Sequence, residues 1–294
     1  MSFDLFGQHV SEDTVLNASK AIGQALLPFS QAIKTLLLQA SVLHADETGL
    51  RVLKKLYWLH ILCNSTLTWY GVHEKRGREA VDYFGILSEF KNRLVHDCWQ
   101  TYLDLACLHA LCNAHILREL TFIHEVCGQA WAKKLIDLLV DMNRKRGEQM
   151  QVASCFPEMQ LLEWHQQYQD IVREGRKANP PIIHPPDAPK KRGRKKQTKA
   201  QNLIERLQKY EEFVLAFLHD FQIPFTNNQG EQDARMQKVK QKVSGCFRTI
   251  EGAELFALIR SYISTVRKQG RSVFQELKAA LHGNPFIPAL NLSG

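Results

Sequence analysis

The stretch "SVLHADETGL", residues 41–50, decides how the chain is read. Val42, Leu43 and Ala45 suit a sheet interior, whereas Asp46 and Glu47 do not. A carboxylate at the end of an apolar strand must find a cation, a hydrogen-bond donor or a metal ion. The same problem recurs at "RLVHDCW", where an apolar strand ends at Asp97. A single aspartate so placed is read most plainly as the cap of a following turn or helix. Two at matching strand ends weaken that reading.

The texture around these residues is that of a sheet. "SVLHADET", "LYWLHILC", "LTWYGV" and "NRLVHDCW" are short runs rich in β-branched and aromatic residues, as strands require. Asn64 and Ser65 suggest a tight hairpin between the second and third. "GREAVDYFGIL" reads as a helix leading to the strand of Asp97. Residues 11–40 read as helical, with a cap at Ser11 and a break at Pro28. Past Asp97 the pattern turns helical, with Trp131, Leu135, Leu138, Leu139 and Met142 at helical spacing. "EGRKANPPIIHPPDAPKKRGRKKQTKA" reads as a surface loop or linker. Leu203, Leu207, Val214 and Leu218 predict one helix ending before Pro224, and helices are expected at about 227–241, 252–268 and 271–282.

A third acid stands in "IPFTNNQGEQDARMQKVKQKVSGCFR". Thr226 and Gln229 have capping-box spacing, so a helix should start near Asn227. Asn227, Glu231, Arg235 and Lys238 or Lys242 then share one face, with Glu231 in the first turns, where the helix dipole favours an anion. Asp233 faces elsewhere, and its replacement by Asn is expected to be nearly silent. The plainer reading of this face is solvated charge with a Glu231–Arg235 pair. Together, two aspartates and a glutamate have the donors to hold two Mg²⁺ ions about 4 Å apart and to support phosphodiester cleavage or strand transfer. The ribonuclease-H-like fold supplies acids from its first strand, its fourth strand and a late helix.

"LHADETGLRV", "VHDCWQTY", "LCNAHILREL" and "PFTNNQGEQDARMQKVKQKVSGCFRT" follow one another in the order seen in the insertion sequence 66 family of bacterial DDE transposases, which the chain resembles over roughly residues 10–282. The resemblance implies a catalytic and metal-binding triad of Asp46, Asp97 and Glu231, holding two Mg²⁺ ions, or Mn²⁺ in their place. It implies an α/β class: a ribonuclease-H-like mixed sheet with a long, largely helical insertion and a helical C-terminal part. The expected organisation is a helical N-terminal segment over 1–40 and a catalytic domain over 41–294. That domain would contain a helical insertion at about 125–222 with a basic linker at 174–200. The implied activity is cleavage and strand transfer at the ends of an insertion sequence, on double-stranded DNA, by a homo-oligomer in the bacterial cytoplasm, associated with the nucleoid. Asn227 and Asn228 belong to the same signature, although Gln232 stands where the family often has Arg. Family members usually carry a DNA-reading helical part and a cysteine-rich zinc module before the catalytic domain. No such spacings occur in this chain, so an inactive DNA-binding remnant is one alternative, and a nuclease or resolvase of the same fold is another.

Further residues carry weaker signals. Cys107, His109, Cys112 and His115 offer zinc donors at a spacing too tight for the usual fingers. By the resemblance, Cys112 and His115 instead support the active site, and Arg118, one turn on, is a candidate phosphate contact. "KKRGRKKQTK", residues 190–199, holds seven Lys or Arg. Lys191, Arg192 and Arg194 are candidates there for non-specific phosphate contact, and the Arg-Gly-Arg core also has the form of a minor-groove hook. Arg235, Lys238, Lys242 and Arg248 follow Glu231 and could steady the DNA backbone. Trp58, Trp69 and Trp99 suit core packing better than stacking on a flipped base.

The bulk properties agree. The 294 residues suffice for a large core, and a net charge of +8 favours a polyanionic partner. Seven scattered cysteines point to a reducing compartment. No run approaches the roughly 18 apolar residues of a membrane span, and the N-terminus lacks a secretory pattern.

Overall fold

The computed structural model describes residue 7, residues 10–180 and residues 197–289. It comprises two compact units, Met1–Leu108 with Asn228–Gly294, and His109–Asn227.

In the first unit, α1 (Glu12–Ala25) starts at Ser11, whose hydroxyl accepts from the Thr14 N–H at 3.1 Å. The chain bends by 51° into α2 (Leu27–Leu38), which has a proline in its first turn. No single helix among the described residues is long and apolar enough to cross a membrane; α1 and α2 pass only together, across this bend. Leu26, Phe29, Ile33 and Leu37 are buried in the core of this unit.

The sheet follows. β1 (Val42–Val52), β2 (Lys55–Cys63) and β3 (Thr68–His73) are antiparallel neighbours. The β1–β2 turn consists of Leu53 and Lys54, at φ of 49° and 66°. This left-handed backbone fits a two-residue hairpin, although neither residue is the usual Gly or Asn. The β2–β3 connection is longer than the tight turn that Asn64 and Ser65 suggest. Asn64 Oδ1 accepts from the N–H groups of Thr66 and Leu67 at 2.9 and 2.8 Å, closing a wider loop on a side-chain turn.

The helix expected over "GREAVDYFGIL" is split into α3 (Arg78–Phe84) and α4 (Ile86–Glu89). Gly85, at φ 77°, ends the first and opens the second. β4 (Arg93–His96) then runs parallel to β1. After α5 (Gln100–Leu103) comes β5 (Leu108–Leu111), and the five strands among the described residues lie in the order β3-β2-β1-β4-β5. The result is a mixed α/β architecture.

Alternation along the strands sorts two cores. Leu43, Ala45, Leu62, Trp69 and Leu94 face one side of the sheet with α2. Leu50, Val52, Leu59, Ile61, Tyr70 and Val72 face the other. The second side is covered after the chain returns to this unit, in α12 (Asn228–Ser244) and α13 (Ile250–Lys268), through Ala234, Ala253 and Ala257. α13 also seals the edge of β3. Ser261 Oγ accepts from the Tyr70 N–H at 2.9 Å, and Thr265 Oγ1 from the Thr68 N–H at 3.1 Å. Unpaired edge donors would otherwise invite another strand. α14 (Val273–Leu281) closes the unit.

The second unit is helical after the end of β5: α6 (Asn113–Glu125), α7 (Ala130–Gln149), α8 (Glu158–Ala178), α9 (Lys199–Lys209), α10 (Glu211–Val214) and α11 (Ala216–His219). Trp131, Leu135, Leu139 and Met142 of α7 are buried, as their spacing predicts. A Cβ at Gly175 would fall 2.7 Å from the Trp131 ring, so glycine permits the close approach of α8 to α7. The single helix expected through Leu203–Leu218 is three segments, interrupted at Tyr210 and Leu215. All five residues of Val214–Leu218 are buried. One straight, half-exposed helix could not turn five consecutive residues inward.

Candidate active site

The site is built from strand alternation. In β1, Asp46 lies on the same face as Leu50 and Val52, because residues two apart share a side. β1 and β4 pair in register through His44 and Val95. Two residues beyond that pair stand Asp46, still on β1, and Asp97, one residue past the end of β4. The two aspartates therefore fall on one face, Asp46 inside β1 just past its pairing with β4 and Asp97 just past the end of β4.

Glu231 approaches from above that face. It lies in the first turn of α12, which packs on β1 and β2 through Ala234. Asp233 anchors the helix. Its carboxylate binds Lys268 Nζ at 2.7 Å and accepts from Thr68 Oγ1 at 3.0 Å, while its backbone carbonyl accepts from the Tyr70 hydroxyl at 3.0 Å. Asp233 does face away from Glu231, but it is a mostly buried ion-pair partner. Its replacement is therefore expected to cost stability.

The charges of Asp97 and Glu231 are felt at Asp46. Burial pushes the Asp46 carboxyl up to about 7. The Glu47 N–H, donating to Asp46 Oδ1 at 2.8 Å, pulls against that shift, and the negative charges of Glu47, Asp97 and Glu231 add to it. Asp97 Oδ1 and Glu231 Oε1 are buried oxygens. Such a group of acids gains from a cation. Carboxylate oxygens suit a hard divalent ion such as Mg²⁺.

Glu47 answers the other half of the "DE" question. Alternation sends it to the opposite face, where its side chain is 2 % exposed. Arg76 Nε donates to its Oε1 at 2.8 Å, and the Tyr102 hydroxyl to Oε2 at 2.5 Å. The Arg76 guanidinium also lies 5.0 and 4.3 Å from the ring centroids of Trp58 and Trp99. Sequence reasoning missed this network. Its one signal was the period of two, which forbids adjacent acids from sharing a partner.

The remaining candidates lie in both units. Arg235, Lys238, Lys242 and Arg248 are exposed, three of them on α12 beyond Glu231. Arg248 also lines a groove of about 1080 Å³ beside α1, β3 and α13, whose lining includes none of the three acids. In the second unit, buried Cys112 precedes α6, and its Sγ accepts from the Asn227 N–H at 3.1 Å. The His115 N–H bonds the Cys112 carbonyl at 3.2 Å. Asn228 and Arg118 are exposed. The His109 ring packs on Phe213, 5.0 Å between centroids, and does not join Cys112 and His115 in a metal-binding group among the described residues. Lys191, Arg192 and Arg194 lie outside the described residues. Trp69 is buried in the core, at 6 % exposure.

Comparison with known families gives the class, a DNA-processing enzyme. The family model described as "Transposase IS66 family" matches residues 2–255, and the chain belongs to that family. A transposase role follows from that membership. No curated protein matches the chain.

Proposed function

We propose that the protein is a DDE transposase, cutting and joining DNA at the ends of its insertion sequence with Asp46, Asp97 and Glu231 as catalytic metal ligands. The observation that carries this reading is the position of Asp46 on β1 and of Asp97 just past β4, each two residues beyond the pair His44–Val95, with the charges of Asp97 and Glu231 felt at Asp46. The strand order, with β1–β3 antiparallel and β4 parallel to β1, supports reading the sheet as ribonuclease-H-like.

When bound, two Mg²⁺ ions, or Mn²⁺, would activate a water or 3′-hydroxyl and stabilise the leaving oxygen. The Glu47 N–H holds one Asp46 oxygen and so aims the carboxylate. Arg235, Lys238, Lys242 and Arg248 supply positive charge for the phosphates on either side of the reacting bond. Lys191, Arg192 and Arg194 would add sequence-independent affinity. The hydrogen bond from the Asn227 N–H to Cys112 Sγ supports reading Cys112, with His115, as residues that assist the active site. Double-stranded DNA is the substrate, and a homo-oligomer holding two element ends is the working form.

The test is Mg²⁺-dependent cleavage and strand transfer on a duplex carrying an element end. Both products are expected, and both should vanish with chelator. Cleavage without joining would instead identify a nuclease or resolvase. DNA binding without either reaction, in Mg²⁺ or Mn²⁺, would identify an inactive remnant.

A further inference from the structure

The second unit carries a pair of imidazoles that no part of the transposition reading uses. His165, on α8, and His219, at the end of α11, bring their Nε2 atoms to 3.0 Å. Their rings are 5.2 Å apart and tilted by 46°. The other ring nitrogen of His165, Nδ1, is 2.8 Å from Glu211 Oε1. Gln169, one turn along α8, donates to both oxygens of the same carboxylate at 3.0 and 3.2 Å, fixing its orientation.

A carboxylate on Nδ1 holds the proton there and leaves the Nε2 lone pair directed outward. That lone pair points at the second imidazole. A carboxylate behind a histidine is the arrangement that orients metal-ligating imidazoles and raises their basicity. Two nitrogens bound tetrahedrally to one zinc at 2.0–2.1 Å would lie about 3.3 Å apart, so the observed pair needs to open by only a few tenths of an ångström. His165 is 23 % exposed, and His219 is exposed, so an ion and its waters can reach the pair. Imidazole donors select Zn²⁺, Ni²⁺ or Cu²⁺ over Mg²⁺.

We propose that His165 Nε2 and His219 Nε2 form a transition-metal site, oriented by Glu211 and completed by water, which ties α8 to α11 and is distinct in metal preference from the three carboxylates. The ion would act as a structural clasp in the helical unit.

Calorimetric titration of the full chain with Zn²⁺, in excess Mg²⁺, tests this against His165→Ala, His219→Ala and Glu211→Gln, each checked for folding by circular dichroism. The parent is expected to bind one Zn²⁺ more than either histidine variant. Glu211→Gln should keep that ion with about 10–100-fold lower affinity. Zn²⁺ should raise the Tm of the parent more than that of His219→Ala. Equal stoichiometry and affinity in the parent and His219→Ala would overturn the proposal and leave the pair an ordinary hydrogen bond. His219 is exposed, so its variant decides the matter even if His165→Ala fails to fold.

Discussion

Asp46 on β1 and Asp97, one residue past the end of the neighbouring parallel strand β4, each stand two residues beyond the paired His44 and Val95. Burial, reinforced by the repulsion of like charges at that spacing, makes Asp46 hold its proton up to about pH 7. A divalent cation removes the repulsion. This relationship destabilises the metal-free site and is the basis for the first two expectations.

Replacing Asp46 or Asp97 by Asn, or Glu231 by Gln, should leave the fold and DNA binding intact. Cleavage and strand transfer should each fall by orders of magnitude, because neutral amides are poor ligands for Mg²⁺. Assays of both products on an element-end duplex decide it. Normal turnover by Asp97→Asn would remove the catalytic reading.

Stability should depend on pH in a stated direction. Asp46 ionises near 3.8 when unfolded but only at about 7 when folded without metal. Between those values the folded state holds more protons, so its stability falls as pH rises from about 4 to about 7. The whole shift corresponds to about 4 kcal/mol. Urea midpoints of the metal-free protein should decline over that window, recover with added Mg²⁺, and lose that slope in Asp46→Asn. A flat profile in the parent would contradict the charge cluster.

The basic residues after Glu231 should act through phosphates. Lys238→Ala and Lys242→Ala should weaken binding about equally for all sequences. Each should lower the salt slope by about 0.9 for every phosphate its ammonium neutralises. A change in sequence preference with the slope unaltered would assign them to base reading instead.

How much of this was legible beforehand follows from where the information lies. Strand alternation and apolar runs are local, so β1 to β4, Asp46 and Asp97 could be read directly. The helix carrying Glu231 was legible from Thr226 and Gln229, close to its observed start at Asn228. The β1–β2 turn was not, because Leu53 and Lys54 adopt a left-handed backbone that neither side chain favours. The broken helices around Tyr210 were hidden by an apolar pattern that fits one helix as well as three. Glu47 with Arg76, and Asp233 with Lys268, were illegible for a different reason. Partners 29 and 35 residues apart are joined by tertiary packing alone.

Arg76→Ala should destabilise the protein by about 2–3 kcal/mol, since it strips the cation from a carboxylate that is 2 % exposed. Arg76 itself is 40 % exposed, which keeps the loss below that of a fully buried pair. Glu47→Gln should cost less, because the amide oxygen still accepts from Tyr102. Denaturant midpoints at constant slope would measure both. A shift of less than a few tenths of a kcal/mol for Arg76→Ala would mean that the Tyr102 bond alone sustains Glu47.

The last expectation sets two acids of one helix against each other. Asp233 and Glu231 are two residues apart on α12 and therefore point in nearly opposite directions around it. Asp233 pairs with Lys268 at 2.7 Å, both side chains 13 % exposed, and also accepts from Thr68. Asp233→Asn keeps an acceptor for Thr68 but leaves the Lys268 ammonium without its counter-charge, at a cost of about 2–4 kcal/mol. Activity per folded molecule should stay within a fewfold of the parent, because the reacting carboxylates are untouched. Glu231→Gln should do the reverse. It removes one of the charges that disfavour ionised Asp46, so stability should hold or rise while cleavage is lost. Urea denaturation of both variants, beside cleavage rates normalised to the folded fraction, separates the two roles. If Asp233→Asn proved fully stable yet inactive, and Glu231→Gln active, the helix would present Asp233 to the DNA, and Glu231 would have to leave the proposed triad.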